Sequence, residues 1–271
     1  MKNNTPVLSL LNITKSYGTN HAIRNINLQV RAGEFVVLLG PSGSGKSTIF
    51  KCISQLAPPN SGEVRLNGSL LNGLKGNALR LERRKIGLIF QQFNLIARLS
   101  ALQNVLLGRL GHMAAWKANF GLFSKSDRQL SMRALDQVGM LAKTYQRADT
   151  LSGGQQQRVA IARVVAQESD LILADEPVAS LDPETSRQVL GNLRRLASEN
   201  GMAILCSLHQ VDLAMEFADR IVAIKNGEIA FDTTANQLSA AKVNSIYVNS
   251  QHGVCEQPTE TRSFRQQVIV A

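Results

Sequence analysis

Apolar and polar residues alternate from Leu8 to Ile13 and again from Ile23 to Val30. A period of two predicts antiparallel strands between Val7 and Val30, joined by a turn at Lys15 to Gly18. Glu63 to Gly68 alternates in the same way, after the loop signal of Pro58 to Gly62. Later runs lose the alternation. Glu34 to Leu39, Ile86 to Phe90, Leu171 to Ala174 and Met202 to Leu208 are short and apolar, the pattern of strands covered on both faces. Helical spacing runs between them. Ile49, Phe50, Ile53 and Leu56 share one face of a predicted helix over Thr48 to Leu56. Ser100 to Leu141 reads as mostly helical, Leu151 to Val165 as a helix capped by Ser152, and Pro183 to Asn200 as one stopped by Gly201. A hairpin is expected at Asn226-Gly227, between Ile221 and Phe231. Strands alternating with helices predict an α/β fold. From Asn249 the chain is polar and irregular, and a mobile tail is expected over 249–271.

A length of 271 residues corresponds to about one or two domains. The net charge of +10 favours polyanions such as nucleic acid, anionic lipid or phosphorylated ligands. No block of five like charges and no RRM, zinc or basic-helix signature accompanies it, so no nucleic-acid partner is expected. The densest basic run, Arg80 to Lys85, reads as a solvated face or as a patch for a polyanion. Cys52, Cys206 and Cys255 form no C-x-x-C pair, which fits a reduced compartment. Val7 to Leu11 is too short for a signal-peptide core, and no apolar run approaches the roughly 18 residues of a membrane span. Work at a membrane would therefore require a partner to hold the chain there.

The chemistry centres on Gly40, Pro41, Ser42, Gly43, Ser44, Gly45, Lys46, Ser47 and Thr48, which fit G-x-x-x-x-G-K-[ST]. A strand precedes the motif and a helix follows it, so backbone N–H groups and a helix N-terminus converge on an anion. Lys46 would reach the terminal phosphates and Ser47 would ligate Mg²⁺. Tyr17 is an exposed aromatic for stacking on adenine, or an ordinary turn residue. Gln91, at the end of a strand, reaches a metal or water in the cleft, or is a surface polar residue. Asp175 and Glu176 end an apolar run at the side of a parallel sheet where ligands bind. There Asp175 would hold Mg²⁺ and Glu176 would polarise a water for in-line attack on a γ-phosphate. His209, at the end of another strand, would donate to a γ-phosphate oxygen. Ser152, with Gly153, Gly154 and Gln155 behind it, opens a second helix N-terminus suited to phosphate. One nucleotide does not need two such sites, so the second is expected to cover a nucleotide held by another copy of the chain. Asp182 is placed to cap the following helix. Trp116, Phe120 and Phe123, among Arg109, Lys117, Lys125 and Arg128, are helix packing or a docking surface with a basic rim.

Together these residues resemble a nucleotide-binding subunit of an ATP-binding cassette (ABC) transporter, over the chain from Val7 to about Val248. The stretch Leu151 to Gln155, ahead of Asp175-Glu176 and flanked by Gln91 and His209, carries the resemblance. It implies a P-loop NTPase with an ABC-type RecA-like core, an antiparallel β subdomain and an inserted helical subdomain at about 95–165. It implies ATP and Mg²⁺ as ligands and a second copy closing an ATP sandwich. In that family's terms Tyr17 resembles the adenine-stacking aromatic and Gln91 the link from metal site to membrane partner. Ser152, Gly153 and Gln155 resemble the signature, and Asp182 belongs to the loop that communicates across the dimer. Glu176 resembles the catalytic base and His209 the switch histidine. The stretches Leu107 to Phe123, Tyr145 to Gly154, Ala174 to Pro183 and Leu208 to Leu213 are similar to the ATP-binding subunit of phosphonate importers. That resemblance implies a motor at the cytoplasmic face of a bacterial inner membrane, with a separate permease and a periplasmic phosphonate-binding protein. An ATPase that remodels a cytosolic complex, such as a phosphonate-degrading assembly, is the alternative.

Overall fold

A computed structural model describes residues 5–247, so the tail expected over 249–271 lies outside the described residues. The chain opens with β1 (Leu8–Tyr17) and β2 (Asn20–Val30), paired antiparallel. The turn between them is shorter than expected. Lys15, Ser16 and Tyr17 still pair with Ile23, His21 and Asn20, and only Gly18 and Thr19 make the connection. Gly18, at φ 60°, supplies the left-handed residue that a two-residue hairpin loop needs.

β3 (Phe35–Leu39) leads into α1 (Lys46–Ile53). Ile49, Phe50 and Ile53 are buried, whereas Leu56, expected on the same face, is 60% exposed. Gln55 adopts φ 57°, so the chain has left the helix before Leu56. β4 (Ser61–Leu66), β5 (Ser69–Leu70) and α2 (Gly76–Arg83) follow. The basic run on α2 has local work. Arg83 donates to the carbonyls of Ser54 and Gln55 beyond the end of α1, and Lys85 pairs with Glu82.

β6 (Ile86–Ile89) precedes the helical stretch, which is more broken than expected. It comprises α3 (Ala101–Leu106), a 3-10 turn at Leu107–His112, α4 (Ala115–Asn119), α5 (Lys125–Gln137) and a 3-10 turn at Leu141–Lys143. Trp116 and Phe120 are 58% and 76% exposed, so neither is helix packing; Phe123 is half-buried against the core. The chain continues through α6 (Gly153–Ala166), β7 (Leu171–Asp175), α7 (Pro183–Asn200), β8 (Ala203–Leu208) and α8 (Val211–Phe217). β9 (Arg220–Lys225), β10 (Glu228–Thr234) and α9 (Ala240–Tyr247) complete it. The β9–β10 turn at Asn226 and Gly227 has positive φ at both residues, as expected.

The strands form an antiparallel sheet ordered β2-β1-β4-β5 and a six-stranded sheet ordered β10-β9-β3-β8-β7-β6. In the larger sheet all neighbours are parallel except β10 with β9. Its two faces build two cores. Phe35, Val37 and Leu39 join Ile172, Ala174, Ile204 and Cys206 beneath α6 and α7. Val36 and Leu38 join Leu173, Leu205 and the antiparallel sheet around Leu8, Ile26 and Val64. A strand covered on both faces has no polar side, which is why these runs are continuously apolar. Cys52 and Cys206 lie in the cores; burial pushes the Cys52 thiol up to about 11, against a pull from Lys15. Among the described residues, no helix is long and apolar enough to cross a membrane.

Candidate active site

The carboxyl ends of β3, β6, β7 and β8 share one edge of the large sheet, where the register aligns Leu38, Ser207 and Asp175. In an open α/β sheet this edge is where ligands bind. The phosphate loop leaves it from Leu39. A Cβ on Gly40 would lie 2.2 Å from the Ile224 carbonyl oxygen, and one on Gly45 2.7 Å from Ile23 Cγ2. The hairpin turn braces the loop, with Gly227 N–H donating to the Ser44 carbonyl. Lys46 Nζ donates to the carbonyls of Gly40 and Pro41 at 2.8 and 3.0 Å. Burial pushes the Lys46 ammonium below its ordinary value, while Glu176 and Asp175 pull it back up. Ser44 Oγ is buried with no hydrogen-bond partner among the described residues, an orphan that a phosphate oxygen would satisfy.

The loop lines a cleft of about 200 Å³ with Ala22, Lys46, Ser47, Thr48 and Glu176 on its walls. Ser47 and Asp175 meet at a smaller hollow of about 80 Å³ that Phe90, the residue before Gln91, also lines. Gln91 itself is exposed. The arrangement around the carboxylates runs through Ser207, a fully buried residue the sequence reading missed. Ser207 Oγ donates to Asp175 Oδ1 at 2.8 Å and accepts from the Glu176 N–H at 2.9 Å. His209 Nε2 lies 2.5 Å from Glu176 Oε1. One hydroxyl on β8 therefore holds both residues at the end of β7. Its only trace in the sequence is a lone hydroxyl at the end of an apolar run.

Other expected residues lie apart from this cleft. Tyr17 is half-exposed at the end of β1, with Lys15 Nζ 5.4 Å from its ring centre; Ala22 forms the cleft wall on that side. Ser152 caps α6, and its box with Gln155 is complete in both directions. Asp182 Oδ1 accepts from the Thr185 N–H at 2.9 Å and caps α7; that bond holds its carboxyl below the ordinary value. The two helix starts pack tightly. A Cβ on Gly154 would lie 2.1 Å from Thr185 Cγ2, and one on Gly153 3.5 Å from the Phe93 ring. Ser152, Gly153, Gly154, Gln155 and Asp182 are absent from the walls of their own chain's phosphate cleft. A concavity of about 520 Å³ among the helices between β6 and β7 is an apolar groove; among the described residues Arg128 is the one charged side chain on its walls, with no carboxylate or glycine loop there.

A glycine loop after β3, braced by the β9–β10 hairpin, with carboxylates at the same sheet edge at the end of β7, defines a P-loop nucleoside triphosphatase. The chain belongs to the ABC transporter family, whose model matches residues 23–179. It is an ABC-type ATPase of α/β fold. It is 46% identical over 243 residues to a phosphonates import ATP-binding protein of Lactobacillus delbrueckii subsp. bulgaricus, spanning 89% of this chain and 95% of that protein. The Staphylococcus aureus protein of the same name is 47% identical, over 87% of this chain and 92% of its own length. A hypophosphite import ATP-binding protein of Stutzerimonas stutzeri is 45% identical, over 95% and 76%. Among solved structures, the dimeric post-hydrolysis state of the cassette MJ0796 bound to ADP and Pi is 37% identical. It covers 84% of this chain and 98% of its own, with a TM-score of 0.73.

Proposed function

We propose that the chain is the motor of a bacterial importer for phosphonates or closely related phosphorus oxyanions, acting on a separate permease at the cytoplasmic face of the inner membrane. The observation that carries this is 46–47% identity to phosphonates import ATP-binding proteins over about nine-tenths of the chain. The motor is a single cassette over 7–248, with its helical subdomain at about 95–165 and a tail beyond. Its partners are a second copy, the permease and, through the permease, a periplasmic binding protein.

In this reading the loop from Gly40 to Thr48 wraps the phosphates of ATP, with Lys46 at the terminal ones. Mg²⁺ fits the donor set, a Ser47 hydroxyl and an Asp175 carboxylate. Among the described residues no cluster of three His, Cys, Asp or Glu makes a protein-only cage, and Mg²⁺ ordinarily takes one or two carboxylates and keeps substrate oxygens and water. Bound there, the ion neutralises charge on the phosphates. Glu176 accepts the proton of the attacking water, and His209 orients its carboxylate from 2.5 Å. Gln91 links the cleft to the permease. Ser152, Gly153, Gly154, Gln155 and Asp182 close over the nucleotide of the second copy, and Tyr17 stacks on adenine.

The test is co-purification of the chain with its permease and binding protein, followed by ATPase assay of the detergent-extracted complex. Faster hydrolysis when the binding protein carries a phosphonate is expected. A chain that ignores the permease and pulls down cytosolic enzymes would instead make it a remodelling ATPase.

A further inference from the structure

The exposed aromatics at α4 have no role in nucleotide chemistry. Trp116 lies on that short helix and Phe120, four residues on, is the residue that ends it, so the two are neighbours on one side. Beyond it the chain folds back, with Leu122 N–H donating to the Lys117 carbonyl and Phe123 N–H to that of Gly121. The fold sends Phe123 down to line the 520 Å³ groove and leaves Leu122 54% exposed beside the other two. The result is a protruding apolar tip. Its charge is of one sign. No Asp or Glu occurs between Glu82 and Asp127, and Arg98, Lys117 and Lys125 are exposed along that stretch. Carboxylates packed beside the stretch are engaged: Asp127 is buried against Arg109, Glu168 pairs with the same guanidinium, and Asp149, bonded through its N–H to the Ala97 carbonyl, pairs with Arg147. Lys117 Nζ lies 5.4 Å from the Trp116 ring centre, its charge beside the apolar tip.

We propose that this tip inserts into the headgroup layer of an anionic phospholipid membrane. A protein interface of specific size needs a surface of about 20–30 residues a side, complementary in shape and ringed by a polar rim. An anionic leaflet presents one sign and needs only aromatic side chains at the interface with basic residues around them. The concave groove beside the tip is the part shaped for a protein segment; the convex tip is not. The proposal draws on the transporter reading for the chain's place beside a bilayer, but the interaction is a property of this chain alone.

The chain carries its own probe, because Trp116 is its single tryptophan. Full-length protein is mixed with vesicles of phosphatidylcholine, alone or with phosphatidylglycerol, in the absence of permease and phosphonate. With phosphatidylglycerol the emission should shift to the blue and be quenched by brominated acyl chains. Replacing both Lys117 and Lys125 by Gln should weaken vesicle binding by roughly thirtyfold. Phe120→Ser should reduce the blue shift while basal ATPase activity stays unchanged. Binding without a shift or quenching would show only the attraction of a +10 chain for anions and would overturn the proposal. So would a shift that appears only on adding the permease, which would make the tip a protein contact. Insertion into vesicles by a chain that phosphonate never stimulates would remove the importer reading and leave this one standing.

Discussion

Glu176 sits at φ 50°, a left-handed conformation that costs a non-glycine residue on the order of 1–3 kcal/mol. Its N–H bonded to Ser207 and its carboxylate bonded to His209 hold it there. Glu176→Gln keeps an oxygen for His209 but removes the base. Steady ATP turnover should fall by roughly 10²- to 10⁴-fold while ATP still binds; turnover near the wild-type rate would exclude that role. Ser207→Ala is a different test. It leaves the Glu176 N–H and one Asp175 oxygen short of a partner, at a cost of about 1–3 kcal/mol in a urea melt. Half-saturating Mg²⁺ in the ATPase assay should rise with it, and Ser207→Thr, which keeps the hydroxyl, should restore both. A stability loss with unchanged Mg²⁺ dependence would make Ser207 structural only. Asp175 and Glu176 were legible because carboxylates ending an apolar run stand out. Ser207 was not, because its partners lie 32 and 31 residues away on a neighbouring strand, and strand register is not written in local sequence.

At the scale of elements, strands and capped helices were legible where the local rules agree, as in α7, bounded by Asp182 and Gly201, and the hairpin at Asn226-Gly227. The stretch from Ser100 to Leu141 was not, because side chains distant in sequence hold its breaks. Gly108 marks one of them: a Cβ there would lie 2.3 Å from the Arg163 carbonyl oxygen of α6. Arg109 marks another, buried and donating to Asp127 at 3.0 Å, the Ala166 carbonyl at 2.8 Å and Glu168 at 2.6 Å. This guanidinium ties the 3-10 turn to the start of α5 and the end of α6. Arg109→Met should therefore cost about 3–5 kcal/mol, since it strands a buried carboxylate. The same cluster sets a pH dependence. Burial raises the Asp127 carboxyl, but hydrogen bonds from Ser124 and Arg109 outweigh it and hold the group below its ordinary 3.8. The unfolded chain binds that proton more readily. The contribution is therefore complete above about 3.8 and is lost as pH falls below it toward the folded value. Acid titration of Asp127→Asn should lack this part of the loss.

At the scale of the whole molecule, α1 opens into the phosphate cleft of its own chain, and the start of α6, proposed as the second phosphate site, does not. The start of α6 is pinned against α7 by the Gly154–Thr185 contact, so it cannot fold over that cleft without dragging a second helix with it. In the proposed sandwich a twofold pair resolves this, each copy supplying the cap the other lacks. Two variants separate the assignments. Glu176→Gln with ATP and Mg²⁺ should run as a dimer in light scattering and return to monomer once the nucleotide is removed. Adding Ser152→Arg to it should abolish the dimer while ATP affinity at the phosphate loop of the monomer stays unchanged. Loss of the Ser152 cap should itself cost only about 1 kcal/mol, so a thermal melt close to that of Glu176→Gln excludes unfolding as the cause. If Ser152→Arg instead weakened ATP binding by the monomer, the start of α6 would serve the nucleotide of its own chain, and the second copy would have no part in the site.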